Sequence, residues 1–325
     1  MLESAERTKP GPFLPRTIEM GTYLGIRRKS RLVAMAGEHL RPPVPGIPAS
    51  PSRRNCRPDP HARHTLGRII MSSVLITGAS KGIGRAIAVE LANRGHRVIA
   101  TARRPEALAD LTVDQRLRLD VTDQGSVDQA IADAGEIDVL VSNAGATLRA
   151  PLESVPLAEV ERLFELNTLG ALRVAQGVLP AMRKRGSGRL VFVSSIQGRL
   201  MLPIIGSYGA SKWALEAIAE GLAIETGHFG IKVSIVQPGA VSTNGAEQAK
   251  ALFADDDPYL PLYHQLGALR GAVITVDEVA AVVADTIEHA QPPLRVPAGA
   301  PAERALKARK EAPESEPFML AQLDW

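Results

Sequence analysis

From residue 72 onward, short runs of apolar and β-branched residues alternate with longer stretches of helical periodicity. The runs that predict strands lie at 73–77, 97–101, 116–120, 137–142, 189–194 and 231–236, with a weaker seventh at 294–297. The stretches that predict helices lie at 82–94, 123–134, 156–185, 206–227 and 276–290. Strands separated by helices are joined by right-handed crossovers, which build a parallel sheet covered on both faces. The sequence therefore predicts an α/β fold with one doubly wound parallel sheet of about seven strands.

The first 70 residues differ in composition from the rest of the chain. They contain 10 of the 24 prolines and show neither strand nor helix periodicity, so we expect a disordered basic extension. Met71 opens the first predicted strand directly, and one hypothesis is that the natural chain starts there; a basic targeting arm is the alternative. The sequence predicts one domain over 71–300, followed by a polar C-terminal tail at 301–325.

The basic character of the chain, with a pI of about 9.1, belongs to this extension. Residues 1–70 carry 13 Lys and Arg against 5 Asp and Glu, whereas residues 71–325 carry 25 against 30. A nucleic-acid surface on the body of the protein therefore has little support. Binding of nucleic acid through the extension remains an alternative.

Cysteine, histidine and apolar patterns exclude several other classes of protein. Cys56 is the single cysteine, so no disulfide can form within the chain. His61 and His64 form an isolated HxxH without a partner pair, and no metal site is expected. No apolar stretch is long enough for a membrane-spanning helix, and the N-terminus shows no secretory signal. We expect a cytoplasmic protein without a membrane span.

A glycine-rich turn, TGASKGIG at 77–84, lies between the first predicted strand and the first predicted helix. Gly78 would allow a tight turn, Gly82 would let the backbone approach a pyrophosphate, and Gly84 would allow close contact between helix and strand. The N–H groups at the helix start would face the anion. An ordinary loop is the alternative to a dinucleotide phosphate site. The residues of the predicted site are Gly78, Ser80, Lys81, Gly82, Ile83 and Gly84.

The end of the second predicted strand indicates which dinucleotide is bound. An NAD enzyme usually has an acidic residue here, which holds the ribose 2′-hydroxyl. Ala102 is not acidic, and Arg103 offers a planar guanidinium that can hold a 2′-phosphate. Lys81 adds a second positive charge. Either base alone could be a solvated surface residue, but together they predict NADP(H).

Turns after three other strands complete the predicted cofactor site. Asp120 could hydrogen-bond the adenine edge, or it could cap the helix that starts near residue 123. Ligands bind outside the carboxyl ends of parallel strands, so we expect these turns to lie close together. The remaining predicted contacts are Val121, Asn143, Ala144, Gly145, Pro238, Gly239, Val241 and Thr243, together with Tyr208 and Lys212.

Tyr208 and Lys212 are four residues apart in a helical stretch and share one face. An ammonium near a phenol favours the phenolate and lowers the tyrosine pKa from about 10, which permits acid–base catalysis near neutral pH. Ser195 ends the fifth predicted strand, where its hydroxyl could hold a substrate oxygen. Ser194 is its competitor, because adjacent strand residues face opposite ways. Asn167 lies inside a predicted helix, where its amide would need partners such as a water leading to Lys212.

Together these residues resemble the short-chain dehydrogenase/reductases of the single-domain branch, over about residues 73–300. The resemblance rests on TGASKGIG (77–84), LDVT (119–122), SNAG (142–145), Asn167, Ser195, YGASK (208–212) and PGAVST (238–243). It implies a Rossmann-type fold in which Tyr208 donates or accepts the proton and Lys212 binds the nicotinamide ribose. It also implies that Ser195 steadies the substrate oxygen and that Asn167 anchors a relay water. Ser142 departs from the asparagine of many members, in a turn.

The stretch YGASKWALEAIAEGLAIE and the later PPLRVPAG resemble a subgroup that includes 17β-hydroxysteroid and retinol dehydrogenases. This implies an NADP(H)-dependent oxidoreductase that interconverts an alcohol and a carbonyl on a hydrophobic, steroid-, retinoid- or lipid-like substrate. The segment 244–275 is expected to form a lid whose apolar side chains line the substrate pocket or merely pack on the body. Those side chains are Leu252, Phe253, Tyr259, Leu260, Leu262 and Tyr263.

Two other functions remain open. A 3-oxoacyl-thioester reductase would share every catalytic residue but would need a basic surface for an acidic carrier protein, and residues 71–325 are net acidic. A non-catalytic dinucleotide-binding sensor would commonly lack the tyrosine or the lysine, and both are present. By analogy with the family we expect a homodimer or homotetramer, paired through helices 156–185 and 206–227.

Overall fold

The computed structural model describes residues 23–28, 31–37, 71–242, 250–268 and 273–318. The chain divides into two units, Met1–Leu66 and Gly67–Trp325. In the first unit, strand β1 (Tyr23–Arg28) pairs antiparallel with β2 (Arg31–Gly37). These two strands were not expected in an extension predicted to be disordered. The other residues of 1–70 lie outside the described part of the chain.

The second unit contains a parallel sheet of seven strands in the order β13-β9-β8-β6-β3-β4-β5. Among the described residues of this unit, two short parallel pairs, β7·β11 and β10·β12, form small sheets of their own. The predicted α/β fold is confirmed, with the ends of the seven predicted strands displaced by one or two residues. The strands of this unit are β3 (Ser73–Ile76), β4 (Arg97–Ala102), β5 (Gln115–Arg118), β6 (Val139–Ser142), β7 (Leu148–Arg149), β8 (Gly188–Val193), β9 (Ile231–Pro238), β10 (Val241–Ser242), β11 (Lys250–Ala251), β12 (Ile274–Thr275) and β13 (Arg295–Ala298).

Helices cover both faces of the sheet. Consecutive residues of β3 point to opposite layers: Val74 and Ile76 pack with α1 and α7, whereas Leu75 packs with α2, α4 and α5. Every residue of β3 is buried, as expected for a central strand of a parallel sheet. The helices are α1 (Gly82–Asn93), α2 (Gln124–Ala134), α3 (Leu157–Phe164), α4 (Gly170–Arg185), α5 (Gly206–Thr226), α6 (Leu260–Ala268), α7 (Val276–Glu288) and α8 (Ala300–Glu311).

The single helix predicted over 156–185 contains an irregular turn. A π-helical segment, Glu165–Leu169, separates α3 from α4, and the Gly170 N–H bonds to the Glu165 carbonyl five residues earlier. Asn167 lies in this segment. Single π turns inside α-helices are frequent at functional sites because they displace side chains from the regular helical face.

Helix α8 lies in the stretch expected to be a polar tail. Ala302 and Ala305 are buried against Ile196 and Leu200, which follow Ser195 in the chain. The buried face of α8 consists of small residues, and the rest of the helix is largely charged. The sequence therefore shows no strong hydrophobic periodicity that would predict this helix. The ordered part of the domain therefore extends past residue 300. Among the described residues, no helix combines the length and the apolar character needed to cross a membrane.

Candidate active site

The predicted cofactor residues gather at the carboxyl edge of the sheet. The glycine turn follows β3, which lies between β4 and β6, where the strand order reverses direction. Such a switch point opens a crevice for a ligand. The turns after β6, β8 and β9 end at the same edge, because all these strands are parallel.

Glycine is required at two positions of the turn between β3 and α1. Gly78 has φ +69°, and a Cβ there would lie 3.0 Å from Ala144 Cα. A Cβ on Gly84 would lie only 2.4 Å from both the Gly78 carbonyl oxygen and Asn143 Nδ2. The turn is thus packed too closely for larger residues, and backbone N–H groups line the start of α1, where a phosphate can be bound.

We expect Gly84→Ala to destabilise the protein by about 1–3 kcal/mol and to weaken dinucleotide binding, because the added methyl meets backbone that cannot rotate away. Thermal unfolding and NADPH titration by fluorescence measure the two effects. Gly221→Ala is the matched control, since a Cβ on Gly221 in α5 would meet nothing within 4 Å. Equal unfolding temperatures for the two variants would contradict the expectation.

Thr77 and Asn143 join the glycine turn to the turn after β6. Thr77 Oγ1 accepts from the backbone N–H groups of Asn143 and Ala144, at 2.9 and 3.0 Å. Asn143 Nδ2 donates to the carbonyls of Thr77 and Gly78, at 3.0 and 3.2 Å. The role of Thr77 was missed from sequence, although a hydroxyl residue at a buried strand end is a recognisable signal. These bonds set the shape of the crevice.

The structure tests one of the two interpretations of Asp120, its role as a helix cap, and gives that role to a different aspartate. Asp123 is the N-cap of α2 and accepts from the Ser126 N–H at 2.9 Å. Asp120 instead accepts from the N–H and hydroxyl of Thr122, at 3.0 and 2.7 Å. Burial raises the pKa of Asp120, but the Thr122 bonds and the charge of Arg103 outweigh it and lower that pKa overall. Adenine contact stays a prediction.

Arg103 and Lys81 are both exposed at this edge. Arg103 comes directly after β4, and its charge acts on Asp120 after β5. Lys81 directly precedes α1. Val121 is buried, and a Cβ on Gly170 would lie 2.7 Å from Val121 Cγ2, so Val121 holds the π-helical segment close to this edge.

Tyr208 and Lys212 lie on one face of α5, toward the end of β8. Lys212 is 4% exposed, and its Nζ donates to the Val193 carbonyl at 2.8 Å and lies 5.9 Å from the Tyr208 ring centre. The side chains of Ser195 and Thr147 act on the Tyr208 phenol and favour its ionised form, which lowers its pKa. Thr147 was not predicted, because only the folded chain brings it next to α5.

Burial dominates the pKa values of both groups. It raises the pKa of Tyr208, and the Ser195 and Thr147 side chains oppose that shift. The lowered Tyr208 pKa predicted from the sequence is therefore not observed, because burial outweighs the opposing contributions. Burial lowers the pKa of Lys212 to about 8, and the charge of Glu216 opposes that shift. Lys212 therefore keeps its positive charge below about pH 8 and loses it above.

Ser194 and Ser195 face opposite ways, as the strand geometry predicted. Ser195 Oγ accepts from the Gln197 N–H at 3.2 Å and donates to the Pro238 carbonyl at 3.5 Å, on the side of Tyr208. Ser194 Oγ donates to Glu216 Oε1 at 3.2 Å, away from the tyrosine. Only Ser195 is therefore placed to share a substrate oxygen with Tyr208.

The side-chain amide of Asn167 forms hydrogen bonds with other groups of the protein. Its Oδ1 accepts from the Ala146 N–H at 2.9 Å, and its Nδ2 donates to the Ala146 carbonyl at 3.0 Å and to Ser211 Oγ at 2.9 Å. A Cβ on Gly145 would lie 3.1 Å from Asn167 Oδ1, so the turn after β6 closes directly over the amide. These contacts use both donor positions of Nδ2. The expected link from Asn167 to a water beside Lys212 stays a prediction.

A sequence profile described as short chain dehydrogenase matches residues 72–252, which is more than half of the chain. The chain belongs to the short chain dehydrogenase family. It is 37% identical over 250 residues to the retinol dehydrogenase 8 of Homo sapiens, covering 69% of this chain and 80% of that protein.

Two solved structures are similar to this short chain dehydrogenase. A short-chain dehydrogenase of Streptomyces avermitilis is 38% identical with a TM-score of 0.68, and the match covers 74% of this chain and 93% of that one. A short chain dehydrogenase of Burkholderia cenocepacia, solved in complex with NADP, is 27% identical with a TM-score of 0.62 and covers 75% of this chain and 99% of that one. The family predicted from the sequence is confirmed.

The turn after β9 in this short chain dehydrogenase is described only in part. Pro238 ends β9, and Val241 pairs with Ile274 where β10 meets β12. Gly239 has room around its Cβ position, with no atom closer than 3.9 Å. Thr243 lies outside the described residues.

The described part of the lid segment is held against the rest of the domain by strand pairing, an ion pair, a hydrogen bond and apolar packing. Strand β11 pairs with β7, Lys250 Nζ bonds Glu159 at 2.6 Å, and the Tyr259 hydroxyl donates to Glu153 at 2.5 Å. Leu252 packs in a small cluster with Leu148. The described lid therefore holds its place partly through packing.

A groove of about 450 Å³ lies beside the start of α5 and has mostly apolar walls. Two of the lid side chains, Tyr259 and Leu262, line it, whereas the Phe253 and Tyr263 rings pack on each other with centres 4.8 Å apart. None of Ser195, Tyr208 and Lys212 lines this groove, so both alternatives for the lid stay open. Among the described residues, no group of three His, Cys, Asp or Glu side chains could hold a metal ion.

Proposed function

We propose that this chain is an NADP(H)-dependent oxidoreductase that interconverts an alcohol and a carbonyl on a hydrophobic substrate. The observation that carries the proposal is the arrangement at the end of β8. There the Ser195 side chain acts on the Tyr208 phenol and favours its ionised form, and the Lys212 ammonium lies on the same helix face as Tyr208. A phenol, a hydroxyl and an ammonium at a nucleotide crevice are the groups that proton transfer to a carbonyl oxygen requires.

The residues of the crevice fit a phosphorylated dinucleotide. Because Gly78 and Gly84 have no Cβ, the turn at the start of α1 can pack closely. Such a turn lets backbone N–H groups approach a pyrophosphate. Arg103 would hold the 2′-phosphate, with Lys81 nearby, and the NADP complex of the Burkholderia cenocepacia relative supports the same choice. When bound, NADP(H) supplies or accepts the hydride.

Three side chains would perform the proton chemistry. The Ser195 hydroxyl would donate a hydrogen bond to the substrate oxygen and hold it near the phenol. In the direction of reduction, Tyr208 would give its proton to that oxygen as the carbonyl carbon gains the hydride; in oxidation it would take the proton back. The Lys212 ammonium would stabilise the phenolate that remains.

An apolar substrate is favoured by the retinol dehydrogenase name of a relative. A groove with mostly apolar walls lies beside α5, but none of Ser195, Tyr208 and Lys212 lines it. The 3-oxoacyl-thioester reductase and the non-catalytic sensor remain as alternatives. We also propose a homodimer or homotetramer, since Trp213 and Ile224 of α5 are 40% and 77% exposed and lie on one face of that helix. The cytoplasmic location stays a prediction.

The test is oxidation of NADPH and of NADH by the full chain, side by side, with hydrophobic ketones, hydrophobic aldehydes and 3-oxoacyl thioesters. We expect NADPH-preferring turnover with a hydrophobic ketone or aldehyde. Faster turnover of the thioesters would favour the reductase alternative. Tight NADPH binding without turnover of any substrate class would contradict the proposal and favour the sensor.

A further inference from the structure

Helix α5 carries a buried carboxylate, Glu216, one turn beyond Lys212. Glu216 is 1% exposed, in line with Tyr208 and Lys212 at intervals of four residues. Removing a carboxylate from water costs several kcal/mol unless donors replace the water. The donors that surround Glu216 therefore identify which parts of the fold it joins.

Each carboxylate oxygen of Glu216 accepts from a different part of the sheet. Oε1 accepts from Ser194 Oγ at 3.2 Å and from Gln237 Nε2 at 2.6 Å, and Oε2 accepts from Arg295 Nε at 2.9 Å. Arg295 also bonds Glu220 Oε2 at 2.7 Å, and the Glu220 side chain is 46% exposed. One carboxylate thus connects α5 with β9, with β13 and with the residue that follows β8.

The two uncharged donors are direct chain neighbours of the proposed site. Ser194 lies between Val193, whose carbonyl accepts from Lys212, and Ser195. Gln237 precedes Pro238, whose carbonyl accepts from the Ser195 hydroxyl. A shift of either strand end would therefore move Ser195 relative to the phenol on α5.

The loop after Ser195 is packed closely onto this cluster. A Cβ on Gly198 would lie 2.8 Å from both Glu216 Oε1 and Ser194 Oγ. Water has no room to replace either donor on that side, so the bonds of the carboxylate are held by the fold.

We propose that Glu216 is a positioning residue for the reaction: it holds the carboxyl ends of β8 and β9 in place against the helix that carries Tyr208 and Lys212. The inference rests on the proposed function and adds a group that acts through its neighbours. Its negative charge has a second effect, since it opposes the lowering of the Lys212 pKa by burial. Loss of Glu216 is therefore expected to change both the position of Ser195 and the charge of Lys212.

The matched pair Glu216→Gln and Glu220→Gln tests the proposal in the full chain. Both changes remove one charge from α5 and one partner from Arg295, but only Glu216 contacts the strand ends. For Glu216→Gln at saturating NADPH we expect kcat to fall about tenfold or more, with the KM for the carbonyl substrate changed less than about threefold, because the reacting groups are displaced while the walls that bind the carbonyl substrate stay in place. Glu220→Gln should keep the kcat of the wild type. Ser194→Ala, a milder change, should lower kcat in the same direction by a few-fold.

A binding measurement separates this inference from the proposed function. NADPH reaches the nicotinamide side of the crevice, whereas adenosine 2′,5′-bisphosphate reaches only the part near Arg103. For Glu216→Gln we expect the Kd for NADPH to rise about tenfold, with that for the bisphosphate unchanged. The inference would be overturned if Glu216→Gln kept the wild-type kcat and both wild-type Kd values. It would also be overturned if Glu220→Gln lost as much kcat as Glu216→Gln, or if the two Kd values of Glu216→Gln rose equally. Absence of carbonyl turnover in the wild type would contradict the proposed function, while the binding comparison would still decide the role of Glu216.

Discussion

Replacement of Tyr208 by phenylalanine is expected to lower kcat by about 10²–10⁴-fold, the range over which a positioned acid or base contributes. The phenyl ring keeps the shape of the side chain, and Lys212 keeps its bond to the Val193 carbonyl. The substitution removes the hydroxyl on which the Ser195 and Thr147 side chains act, and with it the proton that the proposed reaction gives to the substrate oxygen. Stopped-flow measurement of NADPH oxidation with the best carbonyl from the substrate panel would determine the loss.

Retained binding of NADPH distinguishes a chemical role of Tyr208 from a structural one. We expect the Kd for NADPH of the Tyr208→Phe variant to stay within about threefold of the wild type, since the ring and Lys212 remain. Tyr263→Phe is the matched control, because the Tyr263 ring packs on Phe253 through its face and the change leaves that contact. A kcat for Tyr208→Phe equal to that of the control would exclude the phenol as the proton donor.

The sheet was predictable from sequence because its signals are local. Each buried strand is a short apolar run, and each helix has its own period and turn residues. The glycine turn was predictable for the same reason, since Gly78 needs a positive φ and Gly84 meets backbone at 2.4 Å.

The contacts between distant residues were not predictable. Glu216 and Arg295 are 79 residues apart, and Asn143 and Thr77 are 66 apart, and no local pattern marks such pairs. The π turn at Asn167 likewise depends on packing around Gly170 and not on the helical period. Helix α8 was missed because alanines form its buried face. Tertiary packing decided each of these features.

Replacement of Arg103 by alanine is expected to raise the Kd for NADPH about 10- to 100-fold while leaving the Kd for NADH unchanged. This corresponds to the loss of about 1.5–3 kcal/mol, the contribution of hydrogen bonds to a charged group. Arg103 is exposed and directly follows β4, so its removal leaves no cavity in the core. Its charge also acts on Asp120, so an effect of the substitution through Asp120 would change the NADPH and NADH affinities alike.

The neighbouring residue provides a control for charge alone. Arg104 is equally exposed and lies one position further along, at the start of the 3₁₀ turn Pro105–Leu108. A general electrostatic attraction between the protein and the extra phosphate would weaken NADPH binding similarly in Arg104→Ala and would fade as salt is raised. A specific bidentate contact would be lost in Arg103→Ala alone, and the difference between the two variants would persist at higher salt. Equal loss of NADPH and NADH affinity in Arg103→Ala would show that the residue supports the fold of the crevice and does not select the cofactor.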